Sequence, residues 1–355
     1  MISFKADTRP LLVGSLPMTD HEAAARLVMD HTPEIPLWVQ LPLFREEGMV
    51  NQFLPGLPGL VEKGDKQFLD TGKETFDTEF LEFFEEYLVL CEPDAGSLDD
   101  SRFAFTPETG KGFAEFIRQV DGSNRTFPAL KGQVTGPITF ATAVKDENGR
   151  DIFYNEQLRD AAVKRLALNA TWQARTFTAR GATPIIFLDE PALAGFGTSA
   201  YITITREDVT ACIQEITEFI HREKGLAGVH VCANTEWDML LDSNIDVISF
   251  DAFSYFDRFM LYPDQIKAFI SRGGILALGI VPTAKAEIIA AQTLEGLVDM
   301  FEDQMSQLTG LGIDRATLLE QMFITPSCGT GSLDFDSAKR VLELTRDLAA
   351  AIREA

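Results

Sequence analysis

The feature that most constrains this sequence is a series of eight short, almost continuously apolar runs, each ending in Gly, Pro or polar residues. Segments with helical periodicity, such as Asp160–Arg180, Glu207–Lys224 and Leu294–Leu311, separate most of the runs. Alternation of this kind is typical of parallel strands that are buried on both faces of a sheet. The runs are Leu11–Pro17, Pro36–Pro42, Phe127–Pro137, Pro184–Pro191, Leu226–Ala233, Asp246–Phe253, Gly274–Pro282 and Met322–Gly329.

Eight runs in a chain of 355 residues favour an α/β fold of the (β/α)8 TIM-barrel type. A doubly wound sheet would need a glycine-rich phosphate loop after its first strand, and V-G-S-L-P-M-T is not G-x-G-x-x-G. We expect one catalytic domain spanning 1–355. Residues 48–127 are too many for a βα loop, so we expect an insertion or a helical elaboration after the second strand that serves as a lid or docking surface.

The composition and charge exclude several partners. A formal net charge of −23 opposes binding to nucleic acid and to anionic membrane surfaces, which attract a surplus of Lys and Arg. No run reaches the roughly 20 apolar residues of a membrane-spanning helix, and the N-terminus lacks a signal-peptide pattern. The four scattered cysteines are typical of a reducing compartment. We therefore expect a soluble cytoplasmic protein, with its oligomeric state left open.

Polar side chains lie at the carboxyl ends of the runs, where a barrel gathers its catalytic groups. The amino-terminal ends carry nothing comparable, so one face of the barrel is the expected site. These polar residues are Ser15, Gln40, Gln133, Thr135, Asp189, Glu190, His230, Cys232, Asp251 and Cys328.

Four of these residues predict a metal site. His230 and Cys232 are one residue apart, so on a strand both side chains point to the same face. Asp251 lies at the end of the sixth run and Cys328 at the end of the eighth, so all four are expected to meet at the barrel mouth. Imidazole and thiolate ligands favour zinc over magnesium or manganese. The alternative is that the histidine and the cysteines are ordinary buried side chains.

A zinc ion held by two thiolates suits the activation of a thiol substrate. Such an ion can bind the incoming thiol and lower its pKa, and the thiolate is the nucleophile. Peptide hydrolysis usually relies on zinc held by His and Glu instead. The ligand set therefore favours alkyl transfer to sulfur.

Several motifs resemble the catalytic domain of the cobalamin-independent methionine synthase family. H-V-C at 230–232, S-F-D-A at 249–252 and T-P-S-C-G at 325–329 resemble its zinc-ligand motifs. L-D-E-P-A-L, L-K-G-Q-V-T-G-P-I-T and V-G-S-L-P-M-T match its other signatures in order. The resemblance covers about residues 10–331, apart from 48–127. The wider superfamily includes uroporphyrinogen decarboxylase and the methylcobamide:coenzyme M methyltransferases.

The resemblance implies roles for the individual residues. His230, Cys232 and Cys328 would be zinc ligands, and Asp251 stands where the family has a glutamate ligand. The backbone at positions 14 and 15 would contact the carboxylate of the acceptor, and the carboxylate at 189 would pair with its amino group. The residues expected to bind substrate are Gly14, Ser15, Gln133, Thr135, Asp189 and Glu190.

The chain departs from the family on the side of the methyl donor. A second barrel, the Trp after T-G-P and the His after the seventh strand have no match here. A pterin donor needs an acid to protonate its leaving nitrogen, whereas a methylcorrinoid leaves as a cob(I)amide without one. We therefore expect methylcobalamin or a corrinoid protein as the donor, a small-molecule thiol as the acceptor, and homocysteine as that thiol.

Other functions stay open at this point. A coenzyme M-type methyltransferase would keep the zinc chemistry with a different thiol, which would gain nothing from Asp189. A metal-free decarboxylase of the uroporphyrinogen type would need arginines at the first strand, and V-G-S-L-P-M-T has none. A non-catalytic relative would only bind a corrinoid protein or a thiol.

Overall fold

The computed structural model describes residues 4–92, 96–198, 201 and 203–355. Six strands pair in parallel at its centre, in the order in which they occur along the chain. A separate antiparallel hairpin comes earlier in the sequence. The strands are β1 Leu60–Lys63 and β2 Lys66–Leu69 in the hairpin, and β3 Ala129–Thr135, β4 Thr183–Asp189, β5 Leu226–Val231, β6 Val247–Phe250, β7 Ile275–Val281 and β8 Met322–Pro326 in the sheet.

Two irregular segments lie between the edges of this curled sheet, and they are the first two predicted strands. Among the described residues, their ladder pairing with each other and with both edge strands is limited to single parallel bridges, which pair Pro10 with Ile324, Ser15 with Gln40, and Leu37 with Lys131. Prolines at 10, 17, 36 and 42 lack the N–H that a regular ladder needs. Neither segment forms a regular strand in the part of the chain described.

The outcome for the predicted fold is therefore divided. The α/β class and the parallel sheet are confirmed, and the last six apolar runs correspond to β3 to β8. A complete eight-stranded barrel is not shown, because the first two runs do not pair as strands. The prolines at the ends of these runs remove ladder donors there, which limits how far regular pairing can extend.

Helices pack on the outside of the sheet and connect its strands. Thirteen α-helices lie in the described ranges: α1 His21–His31, α2 Phe76–Leu90, α3 Lys111–Gly122, α4 Pro137–Ala143, α5 Glu156–Thr178, α6 Arg206–Arg222, α7 Trp237–Leu241, α8 Ala252–Phe259, α9 Pro263–Ser271, α10 Ala286–Ala290, α11 Leu294–Gly310, α12 Arg315–Glu320 and α13 Phe335–Glu354. The expected helices at 160–180, 207–224 and 294–311 are confirmed as α5, α6 and α11. None of the described helices is both long and apolar enough to span a bilayer.

The inner face of the sheet changes from apolar to polar along the strands. Ile185 and Phe187 of β4 belong to a buried apolar cluster inside the curl, and Asp189 follows them at the same two-residue spacing. Gly228 on β5 leaves room for this cluster, because a Cβ there would lie 2.8 Å from the Phe187 ring. The polar groups of the inner face are therefore concentrated at the carboxyl ends of the strands.

Residues 48–127 contain the hairpin and helices α2 and α3. A fully buried arginine of α5 holds this segment against the rest of the chain. The Arg165 guanidinium donates to the carbonyl oxygens of Pro55 at 2.9 Å, Phe103 at 2.6 Å and Ala104 at 3.3 Å. That the segment is an insertion within a single catalytic domain remains a prediction.

Replacing Arg165 by Met should lower the free energy of unfolding by about 2–4 kcal/mol, because buried carbonyl oxygens would lose their donors. Urea denaturation followed by circular dichroism measures this change. Arg175→Met is the matched control on α5, since Arg175 pairs with Glu223 at a partly exposed position. The control substitution should lower the free energy of unfolding by less than about 1 kcal/mol. Equal, small effects of both variants would contradict the anchoring role.

Candidate metal and substrate site

Three side chains from two strand ends form a compact group. His230 lies in β5, Cys232 follows that strand directly, and Cys328 lies two residues beyond β8. One ligand atom from each residue, a ring nitrogen or an Sγ atom, lies within 4.8 Å of the other two. The structure therefore brings together three of the four residues that the sequence assigned to a metal.

The orientation of the histidine leaves one nitrogen free. His230 Nδ1 lies 2.9 Å from Ser249 Oγ, whereas its Nε2 is buried and has no hydrogen-bond partner among the described residues. Burial, with a contribution from the charge of Lys131, lowers the pKa of His230 to about 3, so the ring is neutral at pH 7. A neutral imidazole whose other nitrogen is held by a hydrogen bond is the usual form of a metal-binding histidine.

The Sγ atoms of the two cysteines lie within 4.8 Å of each other. The interaction between the two thiols is the largest cause that lowers the pKa of Cys232 to about 7. The same interaction, followed by burial, raises the pKa of Cys328. One imidazole nitrogen and two sulfurs fit zinc, which commonly takes three protein ligands and keeps a fourth position for substrate in catalytic sites.

Asp251 lies outside this group of three. Its side chain is buried and accepts a hydrogen bond from the backbone N–H of Ser254 at 2.8 Å, which caps the N-terminus of α8. Burial raises the pKa of Asp251. The observed contact is therefore that of a helix cap, and zinc ligation by Asp251 remains a prediction.

The group of three lines a cavity of about 340 Å³, which Gly14, Ser15 and Asp189 also line. Ser15 Oγ accepts a hydrogen bond from the N–H of Gly331 at 3.1 Å. Gly329 has to lack a Cβ, since one would lie 2.4 Å from that oxygen. The backbone N–H groups of Gly14 and Ser15 donate to no described residue, so both are available to a ligand.

Asp189 faces this cavity with an unused oxygen. Its Oδ1 is buried and has no hydrogen-bond partner in the part of the chain that the structure covers. Burial raises the pKa of Asp189 to about 7, and the positive charge of Lys131 opposes that shift. A buried acceptor of this kind is suited to a cationic or hydrogen-bond-donating group of a ligand.

The other three residues expected to bind substrate lie behind the wall of the cavity. Gln133 donates to the carbonyl oxygen of Trp38 at 3.2 Å, and Thr135 donates to the carbonyl oxygen of Met49. Both oxygens of Glu190 accept hydrogen bonds from the first turn of α4: 2.8 Å to the N–H of residue 138 and 2.8 Å to that of residue 139. These contacts support the wall, and substrate binding by the three residues remains a prediction.

The sequence did not assign roles to three buried polar residues of this region. Gln40 and Glu47 line the cavity. Lys131 lies beneath it, where its Nζ donates to the carbonyl oxygen of Val13, and it is only 1% exposed. A lysine inside an otherwise apolar strand run, two residues before Gln133, was the available sign that this position faces the polar interior.

No protein-family model and no curated protein matches this sequence. The fold is similar to that of a methyltransferase from Methanosarcina mazei, with a TM-score of 0.51, 13% identity, and coverage of 97% of this chain and 99% of that one. At this level of identity the similarity shows the fold alone.

Two further structures align over most of the chain with TM-scores below 0.5. A candidate vitamin-B12-independent methionine synthase from Listeria monocytogenes has a TM-score of 0.49 and 14% identity, over 97% of this chain and 98% of that one. A glycoside hydrolase family 20 β-N-acetylglucosaminidase has a TM-score of 0.41 and 10% identity, over 96% and 89%. Membership of the methionine synthase family therefore remains a resemblance in sequence motifs.

Replacing Ser249 by Ala should weaken Zn²⁺ binding about 10- to 100-fold, because the His230 ring would lose the partner that fixes its orientation and tautomer. Competition with a chromophoric chelator at pH 7 measures the affinity. Ser271→Ala, the same change at an exposed position, should leave the affinity unaltered. Wild-type affinity in the Ser249 variant would show that the ring needs no such support.

Proposed function

We propose that this protein is a zinc-dependent S-methyltransferase that converts homocysteine to methionine, with methylcobalamin or a corrinoid protein as the methyl donor. The observation that carries the proposal is the group of His230, Cys232 and Cys328, whose ligand atoms lie within 4.8 Å of one another at a cavity. The unpartnered Nε2 of the histidine supports metal binding at this position over a role as an ordinary buried side chain.

These three residues would hold the zinc ion. When bound, zinc supplies a Lewis acid that lowers the pKa of a substrate thiol enough for the thiolate to exist near neutral pH. The contact of Ser249 Oγ with Nδ1 would leave Nε2 of His230 to bind the metal. Asp251 is a fourth candidate ligand only if its side chain leaves the cap of α8.

The remaining polar groups of the cavity support an amino acid as the thiol substrate. The free N–H groups of Gly14 and Ser15 suit a carboxylate, and the unpartnered oxygen of Asp189 suits a protonated amine. No lysine or arginine is among the described residues that line the cavity. Both a sulfonated thiol and a substrate with several carboxylates would lack a cationic partner there, which disfavours the coenzyme M-type and decarboxylase alternatives.

In the proposed reaction the bond between the donor and the methyl carbon breaks, and its electron pair stays with the donor. A carbon–sulfur bond forms with the thiolate of the acceptor, whose proton has left to solvent. The cavity wall holds the acceptor in place for attack in line with the breaking bond. A corrinoid donor is supported by the segment after β7, Pro282–Glu287, which contains no histidine that could protonate a pterin.

Two wider proposals accompany this function. We infer that the segments around Ser15 and Gln40 close an eight-membered (β/α)8 ring, and the isolated parallel bridges to both edges of the sheet support this inference. We also infer that the protein acts in the reducing cytoplasm, which is supported by four cysteines that are all unpaired.

Purified wild-type protein should contain about one zinc per chain. Cys328→Ser should lose the zinc and, with it, methionine formation, because the site would lose one of its two sulfurs. Cys91→Ser is the matched control. Cys91 lies at the end of α2, is not among the residues that line the cavity, and donates a hydrogen bond to the carbonyl oxygen of Leu88. Elemental analysis of the three proteins measures the metal directly. Absence of zinc from the wild type would overturn the proposal.

The donor is tested with zinc-loaded wild-type protein and L-homocysteine. Methylcobalamin should yield methionine and 5-methyltetrahydrofolate should not, because only the pterin needs an acid for its leaving nitrogen. Mass spectrometry with a deuterated methyl group follows the transfer. Methionine from the folate alone would refute the corrinoid assignment while leaving the thiol chemistry in place.

A further inference from the structure

Lys131 is a buried lysine of β3 whose ammonium group forms no ion pair with a described residue. Its Nζ donates to the carbonyl oxygen of Val13 at 2.5 Å and lies 3.4 Å from Gln133 Oε1. It also lies 4.8 Å from the centre of the Phe187 ring. Burial of a charge without a counter-ion in contact is costly. A charge retained at such a position therefore calls for a function.

The Val13 carbonyl does not need a charged donor to hold it in place. The next carbonyl along the chain, that of Gly14, accepts from the uncharged backbone N–H of Gln40 at 3.0 Å. Burial lowers the pKa of Lys131 to about 8, and the charge of Asp189 opposes this shift, so the ammonium form predominates at pH 7. The feature to explain is thus a positive charge directly behind one peptide of the cavity wall.

The hydrogen bond from Lys131 sets the direction of the next N–H group. The peptide between Val13 and Gly14 is trans, so its C=O and its N–H point in opposite directions. Lys131 holds the carbonyl end, and the Gly14 N–H therefore points away from the lysine. This N–H has no acceptor among the described residues, on a residue that lines the cavity. The ammonium also polarises the peptide, which makes the N–H a stronger donor to an anion.

Lys131 and Asp189 together give this region one buried charge of each sign. The unpartnered Oδ1 of Asp189 belongs to the cavity lining, whereas Lys131 lies behind the peptide of Val13 and Gly14. A ligand with a charge of one sign would leave the other buried charge uncompensated. A zwitterion, whose cationic and anionic groups are separate, compensates both of them.

We propose that Lys131 is a positioning residue for the thiol substrate: through the peptide of Val13 and Gly14 it orients the N–H that binds the substrate carboxylate and supplies the opposite charge. The lysine itself does not touch the substrate. The proposal rests on the proposed function, since the ligand is the thiol methylated there. It accounts for anion binding in a cavity whose described lining contains no lysine or arginine.

The test uses two thiols that each carry one charged group of homocysteine. These are 4-mercaptobutyrate, which has the carboxylate, and 3-aminopropane-1-thiol, which has the amine. In titration calorimetry, zinc-loaded Lys131→Met should bind 4-mercaptobutyrate about 10- to 100-fold more weakly than the wild type, because the carboxylate loses a charge-assisted donor. The binding of 3-aminopropane-1-thiol should not weaken, because the amine meets Asp189 without a competing positive charge nearby.

Two further variants separate the charge from the side chain that carries it. Lys131→Gln keeps an N–H donor without the charge, and it should weaken 4-mercaptobutyrate binding in the same direction by less. Lys164→Met is the matched control, since Lys164 of α5 also lies beside an aromatic ring, 5.3 Å from the centre of Tyr87, but pairs with Asp160. This control should change the binding of neither thiol. In turnover, Lys131→Met should raise KM for homocysteine with little change in kcat.

Three results would overturn the positioning role while the proposed function stands. They are an equal loss for both thiols, unchanged binding of 4-mercaptobutyrate in both Lys131 variants, and loss of zinc from both variants in elemental analysis. Failure of the zinc-loaded wild type to bind either thiol would overturn the proposed function together with the role of Lys131.

Discussion

The register of the parallel sheet is the constraint on which the site depends. Thr135, Asp189, His230 and Ser249 are successive partners across β3, β4, β5 and β6, so they form one row at the same level of the sheet. A shift of one residue in β5 would turn the imidazole to the outer face, because side chains alternate with a period of two. The same parallel direction brings the end of β8, with Cys328, to this rim.

The polar row is incompletely satisfied within the protein itself. Five buried side-chain atoms lack a partner among the described residues, and three of them belong to Asp189, His230 and Thr325, which line one small inner cavity. Each such atom costs about 1–3 kcal/mol, which a ligand that bonds to it recovers. Departures of this kind from full hydrogen bonding are typical of functional sites. The distribution of unpaired atoms therefore supports this rim as the site without reference to any relative.

The sequence could predict those features of the fold and the site that depend on the pattern of apolar and polar residues along each strand. Six strand runs and the meeting of His230, Cys232 and Cys328 followed from apolar runs and from strand ends in a parallel sheet. The sequence could not predict the observed hydrogen bonds of Thr135 and Glu190, because their partners, Met49 and the first turn of α4, lie far away along the chain. The capping role of Asp251 could have been predicted together with its assignment to the metal. A carboxylate directly before a helix is a common N-cap, and Asp251 directly precedes α8.

The first two segments show a different limit. Their apolar composition predicted strands, but their prolines restrict pairing to isolated bridges. The same irregular segments contribute Gly14, Ser15 and Gln40 to the cavity. Because these segments do not form a regular strand ladder, the N–H groups of residues 14 and 15 have no acceptor among the described residues and can bind a ligand. The irregularity that keeps the first two runs out of the regular sheet thus also contributes to the site.

X-ray absorption at the zinc edge tests the central claim most directly, because it reports the ligand atoms themselves. Zinc in the resting protein should show two sulfur neighbours at about 2.3 Å and nitrogen or oxygen neighbours at about 2.0–2.1 Å. Addition of L-homocysteine should raise the number of sulfur neighbours to three. A shell of nitrogen and oxygen alone, or a spectrum that homocysteine leaves unchanged, would contradict thiol activation at this site.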